Sequence, residues 1–387
     1  MKDYLISKKV KDMQPSGIRA FFDLVLGMKD VISLGVGEPD FVTPWQIREA
    51  GIYSLEQGFT SYTSNKGLYK LRLSISRYLK NKFGLDYSAE DEILITVGVS
   101  EAFDICLRAI INPGDKILCP SPSYVSYGPL TALAGGMPVY IDTRRTGFKL
   151  TPDILKRHID KKCKAIIFNY PTNPTGVSYT RKELEAINKV LLKHNILCIS
   201  DEIYGDLTYD FQHTAFPTLA GAKNNTVYLN GFSKSYAMTG WRVGYACGPK
   251  EIIAAMTKIH QYTIMCVSIT SQMAACEAFM YSAQRSVSEM KREYLRRRNY
   301  IVTELNRIGL NCIMPQGAFY AFPSIKNTKL PAIEFAKRLF EKEKVAVVPG
   351  TAFGKGLTDY VRISYASSLD NLKEAVLRMK KFLTHIK

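Results

Sequence analysis

Apolar residues in the middle of the chain fall in short continuous runs, and segments with helical spacing separate them. The runs read EILITVG, KILCP, PVYID, KAIIFNY, ILCISDEIY and TVYLNGFS, and they lie within residues 92–233. Strands that are buried on both faces are apolar throughout, whereas strands with one wet face alternate. We therefore predict an α/β fold with a mainly parallel central sheet that helices cover on both faces.

Helix start signals support two of the predicted helices between these runs. Thr180 and Glu183 have the spacing of a capping box, which predicts a helix over residues 181–194. Thr151 followed by proline is typical of an N-cap with proline at the first helical position, which predicts a helix over residues 152–160.

The alternation of apolar runs and short helical segments ends near residue 285. A long basic helix is predicted near residues 286–308, and the strand-like runs VAVVPG and YVRISYA follow it. The last segment carries apolar residues at helical spacing, namely Leu372, Val376, Met379 and Leu383. We predict an N-terminal segment over 1–45 that packs with the small domain, a large domain over 46–285 and a small α/β domain over 286–387.

The composition is that of a globular protein. Of the 387 residues, 46% are apolar and 22% are charged, which argues against intrinsic disorder, collagen and coiled coil. No apolar run is long enough to cross a bilayer, and the first residues lack the apolar segment of a signal peptide. The net charge of +17 is scattered, so we interpret it as a solvated surface and expect neither a nucleic-acid nor a membrane partner.

The cysteine and histidine residues indicate a reducing compartment and no metal. The eight cysteines contain no CxxC pair, and several, such as Cys198, lie inside apolar runs. They are typical of buried thiols in a cytoplasmic protein. The five histidines have no metal-ligand spacing, so no metal site is predicted.

Polar residues follow several of the predicted strands, at the edge where ligands bind in open α/β sheets. Gly98 precedes a helix whose first residues, Val99 and Ser100, have free amide groups that could bind a phosphate. Asn173 lies in the turn-forming sequence PTNPTG after another strand, where its amide could face a ligand. In both places a plain turn is the alternative.

Two further strand ends carry ionisable side chains. Asp201, at the end of a buried strand, needs a cation, a donor or a ligand, and Tyr204 could reach the same space. A helix N-cap aspartate with a core tyrosine is the alternative. Lys234 follows Ser233 at the next strand end, where burial would lower its pKa and free a nucleophilic amine. Arg242 offers a fork for a phosphate or carboxylate, and an exposed loop lysine is the alternative for Lys234.

A second arginine lies inside a strand near the C-terminus. Arg362 in YVRISYA needs an anionic partner, which is either a ligand or a carboxylate of the same chain. A lysine, a carboxylate, an amide, a phenol and two arginines at strand ends are the set that pyridoxal phosphate requires, because it needs a Schiff-base amine, an anion for its ring nitrogen and a phosphate site.

Seven sequence motifs carry a family resemblance. SLGVGEPDF, SYTSNKGLYKLR, YPTNPTG, SDEIY, NGFSKSYAMTGWRVGY, PQGAFYAFP and YVRISYA are similar to the class I and II aminotransferases of fold type I, in order and over nearly the whole chain. The branch it most resembles is that of the prokaryotic aspartate and aromatic aminotransferases. The resemblance implies a large domain that binds pyridoxal phosphate, a smaller C-terminal α/β domain and a homodimer with shared active sites.

The resemblance also implies roles for individual residues. Lys234 would form the Schiff base and shuttle the proton, Asp201 would pair with the ring nitrogen, and Tyr124 would stack on the ring. The other residues implied for the cofactor are Asn173 and Tyr204 at the ring oxygen, Val99, Ser100, Ser233 and Arg242 at the phosphate, and Tyr62 at the phosphate of the neighbouring subunit. Substrate would contact Gly37, Tyr124 and Asn173, and Arg362 would hold its α-carboxylate.

The sequence departs from its relatives in two places that affect function. Gly231 stands where some relatives have a serine before the lysine, which alters the phosphate site. Ser100 stands where some aspartate-specific relatives have a lysine, which favours a broad or aromatic-accepting enzyme that transfers amino groups to 2-oxoglutarate by a ping-pong mechanism.

Other functions stay open at the level of sequence. Alanine, 2-aminoadipate and branched-chain amino acids are alternative substrates, and β-elimination from sulfur amino acids is an alternative reaction on the same fold. A DNA-binding regulator with this fold would need an added winged-helix domain, for which the early start of GVGEPD at residue 35 leaves no room.

Overall fold

The computed structural model describes residues 5–13 and 30–386. Its strands are β1 Ile32–Ser33, β2 Ile93–Thr96, β3 Lys116–Ser121, β4 Met137–Asp142, β5 Cys163–Asn169, β6 Leu197–Asp201, β7 Thr226–Gly231, β8 Gly244–Cys247, β9 Tyr320–Ala321, β10 Val345–Ala346, β11 Val348–Pro349 and β12 Val361–Ser364.

The α-helices alternate with these strands over much of the chain. They are α1 Lys8–Lys11, α2 Trp45–Glu56, α3 Tyr69–Phe83, α4 Gly98–Ile110, α5 Tyr127–Leu133, α6 Pro152–Arg157, α7 Arg181–Lys193, α8 Lys250–Thr263, α9 Ile269–Glu277, α10 Tyr281–Arg307, α11 Ala332–Glu343 and α12 Leu369–His385. No helix within 5–13 and 30–386 combines the length and the apolar character that crossing a bilayer requires.

A seven-stranded sheet with the order β2-β8-β7-β6-β5-β3-β4 forms the centre of the molecule. Neighbours from β4 to β7 are parallel, whereas β8 runs antiparallel to both β7 and β2. Strands β2, β6 and β7 are almost wholly buried, as their continuous apolar sequences predict. The predicted α/β class with a mainly parallel sheet is therefore confirmed.

Two small sheets lie outside the central one. Strands β11, β12 and β9 form an antiparallel sheet, and β1 pairs in parallel with β10. The run VAVVPG, which the sequence predicts as one strand, contributes β10 to one sheet and β11 to the other. Since β1 precedes the central sheet and β10 follows it, this pairing attaches part of the N-terminal segment to the C-terminal part of the chain.

Local sequence signals account for several helix boundaries. The capping box is present, because the Thr180 hydroxyl accepts a bond from the Glu183 amide and the Glu183 carboxylate accepts one from the Thr180 amide. Helix α6 ends at Arg157, three residues before the predicted end. At the predicted end, the Asp160 carboxylate accepts a bond from the Lys162 backbone amide and so forms a turn.

The longest helix begins earlier than its charge pattern predicts. Helix α10 starts at Tyr281, and its first turns bury Ala283 and Val287 in the core. The predicted division between the domains at residues 285 and 286 falls inside this helix, and the division into domains stays a prediction. In helix α12 the predicted apolar face includes Leu372 and Met379, both fully buried.

Candidate active site

A cavity of about 1010 Å³ lies at the carboxyl ends of the parallel strands β5, β6 and β7. Eleven of the predicted site residues line it, namely Gly37, Val99, Ser100, Tyr124, Asn173, Asp201, Tyr204, Ser233, Lys234, Arg242 and Arg362. Tyr62 is not among the lining residues, and 82% of its surface is exposed. The sheet topology thus brings together residues that are far apart in sequence, at the edge where open α/β sheets bind ligands.

Strands β5 and β6 position the first polar residues. Asn169 and Asp201 are paired neighbours at the ends of these strands, and the side-chain Nδ2 of Asn169 donates to the backbone carbonyl of Asp201 at 2.9 Å. The Asn169 side-chain oxygen accepts a bond from the backbone amide of Asn173 at 3.0 Å, which fixes the loop that follows β5. The polar loop is therefore built into the site and is more than a reverse turn.

The Asp201 carboxylate is buried at the floor of the cavity. Tyr127 donates its hydroxyl to Asp201 Oδ2 at 2.6 Å, and the Ile203 amide donates to Oδ1 at 3.2 Å. Burial raises the pKa of Asp201 to about 6, against the effect of these two bonds. Asp201 is the last residue of β6, and the short helical turn that follows has Tyr204 at its N-cap, so the helix N-cap aspartate of the alternative is wrong.

Lys234 is partly buried and lies three residues after the end of β7. Its ammonium Nζ donates to the Gly37 carbonyl at 2.7 Å, and no carboxylate within the described chain forms an ion pair with it. Burial lowers the pKa of Lys234 to about 8 against the opposing negative charge of Glu38, and the positive charges of Arg362 and Arg242 act in the same direction as burial. An amine with this pKa is available as a nucleophile near neutral pH, so the exposed loop lysine of the alternative is wrong.

Arg362 is 2% exposed and lies in strand β12. It donates from Nη1 to Asn173 Oδ1 at 2.9 Å and from Nη2 to the Gly35 carbonyl at 2.5 Å, while Nε is buried without a partner. The rings of Tyr320 and Phe353 lie 4.5 and 4.9 Å from its guanidinium carbon. No carboxylate of the described residues is within salt-bridge distance, so the alternative of an intramolecular ion pair is wrong.

Arg242 lies against the first turn of helix α4. Gly98 has a φ of 69°, and a Cβ at this position would lie 2.8 Å from Nη2 of Arg242. Glycine therefore allows the guanidinium to approach the first turn, where the amides of Val99 and Ser100 lack intrahelical partners. Arg242 is exposed and donates to the Thr239 carbonyl at 3.1 Å, which leaves its other guanidinium nitrogens for a ligand.

Aromatic side chains form the walls of the cavity. The hydroxyls of Tyr204 and Tyr320 are hydrogen-bonded at 2.8 Å, and both rings are buried. Tyr124 packs edge to face against Tyr127, with ring centroids 5.6 Å apart. Sequence analysis missed Tyr127 and Tyr320. Tyr320 lies within the motif PQGAFYAFP, and Tyr127 follows Tyr124 by three residues.

A buried carboxylate that the sequence analysis also missed supports the segment after Asp201. Glu202 is fully buried and accepts bonds at Oε1 from Tyr170, Ser200 and the Phe216 amide, at 3.1, 2.7 and 2.9 Å. Its Oε2 contacts His213 Nε2 at 2.6 Å. Glu202 does not line the cavity, so we interpret this network as a brace for the neighbouring strand end.

The described residues do not form a metal-binding cluster. Residues 5–13 and 30–386 contain no group of three or more His, Cys, Asp or Glu side chains that could hold a metal ion. Asp201 is the buried carboxylate of the cavity, and the other two carboxylates in its described lining, Glu101 and Asp104, are paired with His260 and Arg108. The unpaired cations of that lining therefore suit an organic anion, and they are Lys234, Arg242 and Arg362.

Comparison with known proteins gives a consistent result. The model of the family described as aminotransferase class I and II matches residues 29–379. The putative aminotransferase YugH of Bacillus subtilis is 51% identical over 99% of each chain. The aspartate aminotransferase of Pyrococcus abyssi is 43% identical over 98% of each chain. The crystal structure of the aromatic aminotransferase from Pyrococcus horikoshii has a TM-score of 0.90 and 40% identity, covering 95% of this chain and 99% of that one.

Proposed function

Because the chain belongs to the class I and II aminotransferases, which depend on pyridoxal phosphate, we propose that it moves the amino group of an aromatic L-amino acid or aspartate to a 2-oxo acid such as 2-oxoglutarate. The chain is an aminotransferase, and the proposal concerns its substrates, residues and mechanism. One observation carries it, namely that a lysine with a pKa of about 8 and a buried arginine without a carboxylate partner share one cavity.

The residues of the cavity fit pyridoxal phosphate. Asp201 is a buried carboxylate that a protonated ring nitrogen would neutralise, and the start of α4 with Arg242 suits a phosphate. Tyr204 and Asn173 would contact the ring oxygen, Tyr124 the ring face and Ser233 the phosphate. When bound, the cofactor supplies an aldehyde for amines and a ring that withdraws electrons from the reacting carbon.

The protein contributes positioning and proton transfer. Lys234 Nζ, neutral in part near pH 7 because burial lowers its pKa, would bind the cofactor and, once released, would take the α-proton from the substrate and deliver it to the carbon of the cofactor's aldehyde group. Arg362 would hold the substrate α-carboxylate bidentately, through two of its three guanidinium nitrogens. Since one amine serves both halves of the reaction, we propose a ping-pong mechanism in which donor and acceptor bind in turn.

The lining of the cavity favours a substrate with an uncharged side chain. The cationic side chains among its described lining residues are Lys234, Arg242 and Arg362, and each has a proposed partner. Ser100 offers no charge to a distal carboxylate, while Tyr124 and Val125 offer apolar surface. We therefore rank aromatic donors above aspartate, although relatives named for both substrates are about equally similar.

We also propose a symmetric homodimer in which Tyr62 contacts the cofactor phosphate of the partner subunit. Tyr62 and Tyr262 are 82% and 87% exposed, which is unusual for aromatic residues on a monomer. The Asn65 side chain donates to the Met265 carbonyl at 2.8 Å, so the segments that carry the two tyrosines lie side by side. Two-fold symmetry would bury this surface on both subunits.

The cytoplasm is the location that we propose. Each of the eight cysteines is a free thiol, and six of them are buried. Burial raises the pKa of thiols such as Cys106 and Cys119 to about 12, which keeps them protonated and unreactive, as suits a reducing compartment.

A donor screen tests the proposed substrates. The holoenzyme is mixed with single amino acids, and the visible absorbance of the cofactor reports each half-reaction without a second substrate. We expect phenylalanine or tyrosine to convert the cofactor, and 2-oxoglutarate to reverse the change. No turnover of any aromatic donor at saturating concentration would refute the ranking.

The proposed role of Lys234 has its own test. Lys234→Ala should abolish the absorbance band of the covalently bound cofactor, whereas Lys189→Ala, which removes an exposed lysine of α7, should leave it unchanged. An unchanged, pH-sensitive band in Lys234→Ala would show that another amine binds the cofactor.

A further inference from the structure

Tyr320 connects two residues to which different roles are assigned above. Its hydroxyl is 2.8 Å from the hydroxyl of Tyr204, which is proposed to hold the cofactor ring oxygen. Its ring lies 4.5 Å from the guanidinium carbon of Arg362, which is proposed to hold the substrate carboxylate. Tyr320 is 1% exposed and lines the cavity, so one buried side chain contacts both binding groups.

The chemistry of phenols sets the direction of the bond between the two tyrosines. A phenol has one proton to donate, and its oxygen can accept. When Tyr204 donates to the ring oxygen of the cofactor, its only proton is used, and Tyr320 must be the donor in the pair. Hydrogen bonds in such a chain polarise one another, so the bond from Tyr320 strengthens the donation by Tyr204.

Close packing keeps the Tyr320 hydroxyl in this position. A Cβ at Gly37 would lie 2.5 Å from the Tyr320 oxygen, so the backbone of Gly37 closes one side of the phenol. The same residue accepts a bond from Lys234 Nζ at 2.7 Å. Tyr320 lies in β9, which pairs with the strand β12 that carries Arg362. This packing therefore keeps the Tyr320 hydroxyl within hydrogen-bonding distance of Tyr204.

We propose that Tyr320 is a positioning residue that orients the hydroxyl of Tyr204 toward the cofactor and supports Arg362 in its carboxylate-binding position. The proposal rests on the function proposed above. Its two parts belong to different atoms, because the hydroxyl serves Tyr204 and the ring serves Arg362. Two substitutions at this position can therefore separate them.

Tyr320→Phe removes the hydroxyl and keeps the ring. A donor at the ring oxygen stabilises negative charge there and so favours the deprotonated form of the neighbouring Lys234 nitrogen. With this donation weakened, a pH titration of the visible absorbance of the holoenzyme should show the pKa of that nitrogen raised by about half to one unit. We expect kcat to fall about threefold to tenfold, with KM for the amino acid changed by less than about twofold.

Tyr320→Leu removes the ring as well. Because the guanidinium of Arg362 then loses its aromatic contact, KM should rise about threefold to thirtyfold over that of Tyr320→Phe. Gly37→Ala tests the same hydrogen bond without changing Tyr320, because the added methyl group would displace the Tyr320 hydroxyl. It should raise the pKa of the Lys234 nitrogen as Tyr320→Phe does.

Tyr365→Phe is the matched control. Tyr365 is buried close to the same small sheet, and its hydroxyl donates to the Ala318 carbonyl at 3.1 Å outside the cavity. It should leave the pKa of the Lys234 nitrogen and the kinetic constants unchanged. An unchanged pKa in Tyr320→Phe, or an equal shift in Tyr365→Phe, would overturn the proposal. A wild-type enzyme that transfers no amino group from an aromatic amino acid or aspartate would instead overturn the proposed function.

Discussion

Replacing Tyr127 with phenylalanine should raise the pKa of Asp201 further above its ordinary value. The Tyr127 hydroxyl donates to Asp201 Oδ2 at 2.6 Å, and this bond opposes the burial that raises the pKa to about 6. A hydrogen bond to a charged group contributes about 1.5–3 kcal/mol, and one pKa unit corresponds to about 1.4 kcal/mol. Loss of the hydroxyl should therefore raise the pKa by about one to two units in the cofactor-free protein.

This shift makes the cost of the substitution depend on pH. The pKa of Asp201 in the folded protein lies above 3.8, so the folded state holds a proton that the unfolded chain has lost, and stability falls as pH rises to about 6. In Tyr127→Phe the fall continues to about pH 7 to 8. The loss of unfolding free energy relative to wild type should be about 1.5–3 kcal/mol larger at about pH 8.5 than at about pH 5.

Urea unfolding of the cofactor-free protein, followed by circular dichroism at the two pH values, measures this difference. Tyr365→Phe is the control, because its hydroxyl donates to the neutral carbonyl of Ala318 and its loss should cost the same at both pH values. A loss of stability in Tyr127→Phe that is equal at the two pH values would refute the reasoning, since it would mean that Tyr127 does not stabilise the charged form of Asp201.

Three further outcomes are expected. Arg362→Lys should raise KM for amino-acid and 2-oxo-acid substrates roughly tenfold to a hundredfold, because a lysine cannot bind a carboxylate bidentately; steady-state kinetics that show unchanged KM would contradict this. The rate at which cofactor-free protein binds pyridoxal phosphate, followed by stopped-flow absorbance, should rise through pH about 8, where Lys234 loses its proton, and an inflection near 10.5 would count against the lowered pKa. Glu202→Gln should destabilise the protein by about 1–3 kcal/mol in thermal or urea unfolding, because an uncharged amide accepts weaker bonds than the buried carboxylate does from Tyr170, Ser200 and the Phe216 amide; an unchanged midpoint would contradict this.

The main features of the fold follow from local patterns in the sequence. Continuous apolar runs predict buried parallel strands, and the strands β5, β6 and β7 are where these runs lie. Strand β8 was not predicted, because its four residues GYAC are too few to show a period and begin with a glycine. The antiparallel insertion of β8 between β2 and β7 depends on hydrogen bonds between distant segments, which no local pattern contains.

The same limit applies to the site. Asp201, Asn173 and Lys234 were found because parallel strands end at one edge, so position along the chain predicts position in space. Tyr127 and Tyr320 were not found, because their partners Asp201 and Tyr204 lie 74 and 116 residues away in sequence. A tyrosine in an apolar segment has the same local appearance whether its hydroxyl contacts a catalytic group or a backbone carbonyl.

The charge balance of the cavity explains why the substrate should carry a carboxylate. Arg362 is buried, and only neutral oxygens and aromatic rings contact its charge within the described chain. Glu101 and Asp104 also line the cavity, but each is already bonded to a neighbouring basic side chain. A buried cation is costly without an anion, so binding of a carboxylate recovers free energy that an amine without one cannot. We therefore compare a good amino-acid donor with the amine that has the same side chain but no carboxylate. The half-reaction of the amine with the cofactor should be at least about a hundredfold slower than that of the amino acid, and comparable rates would contradict this account of Arg362.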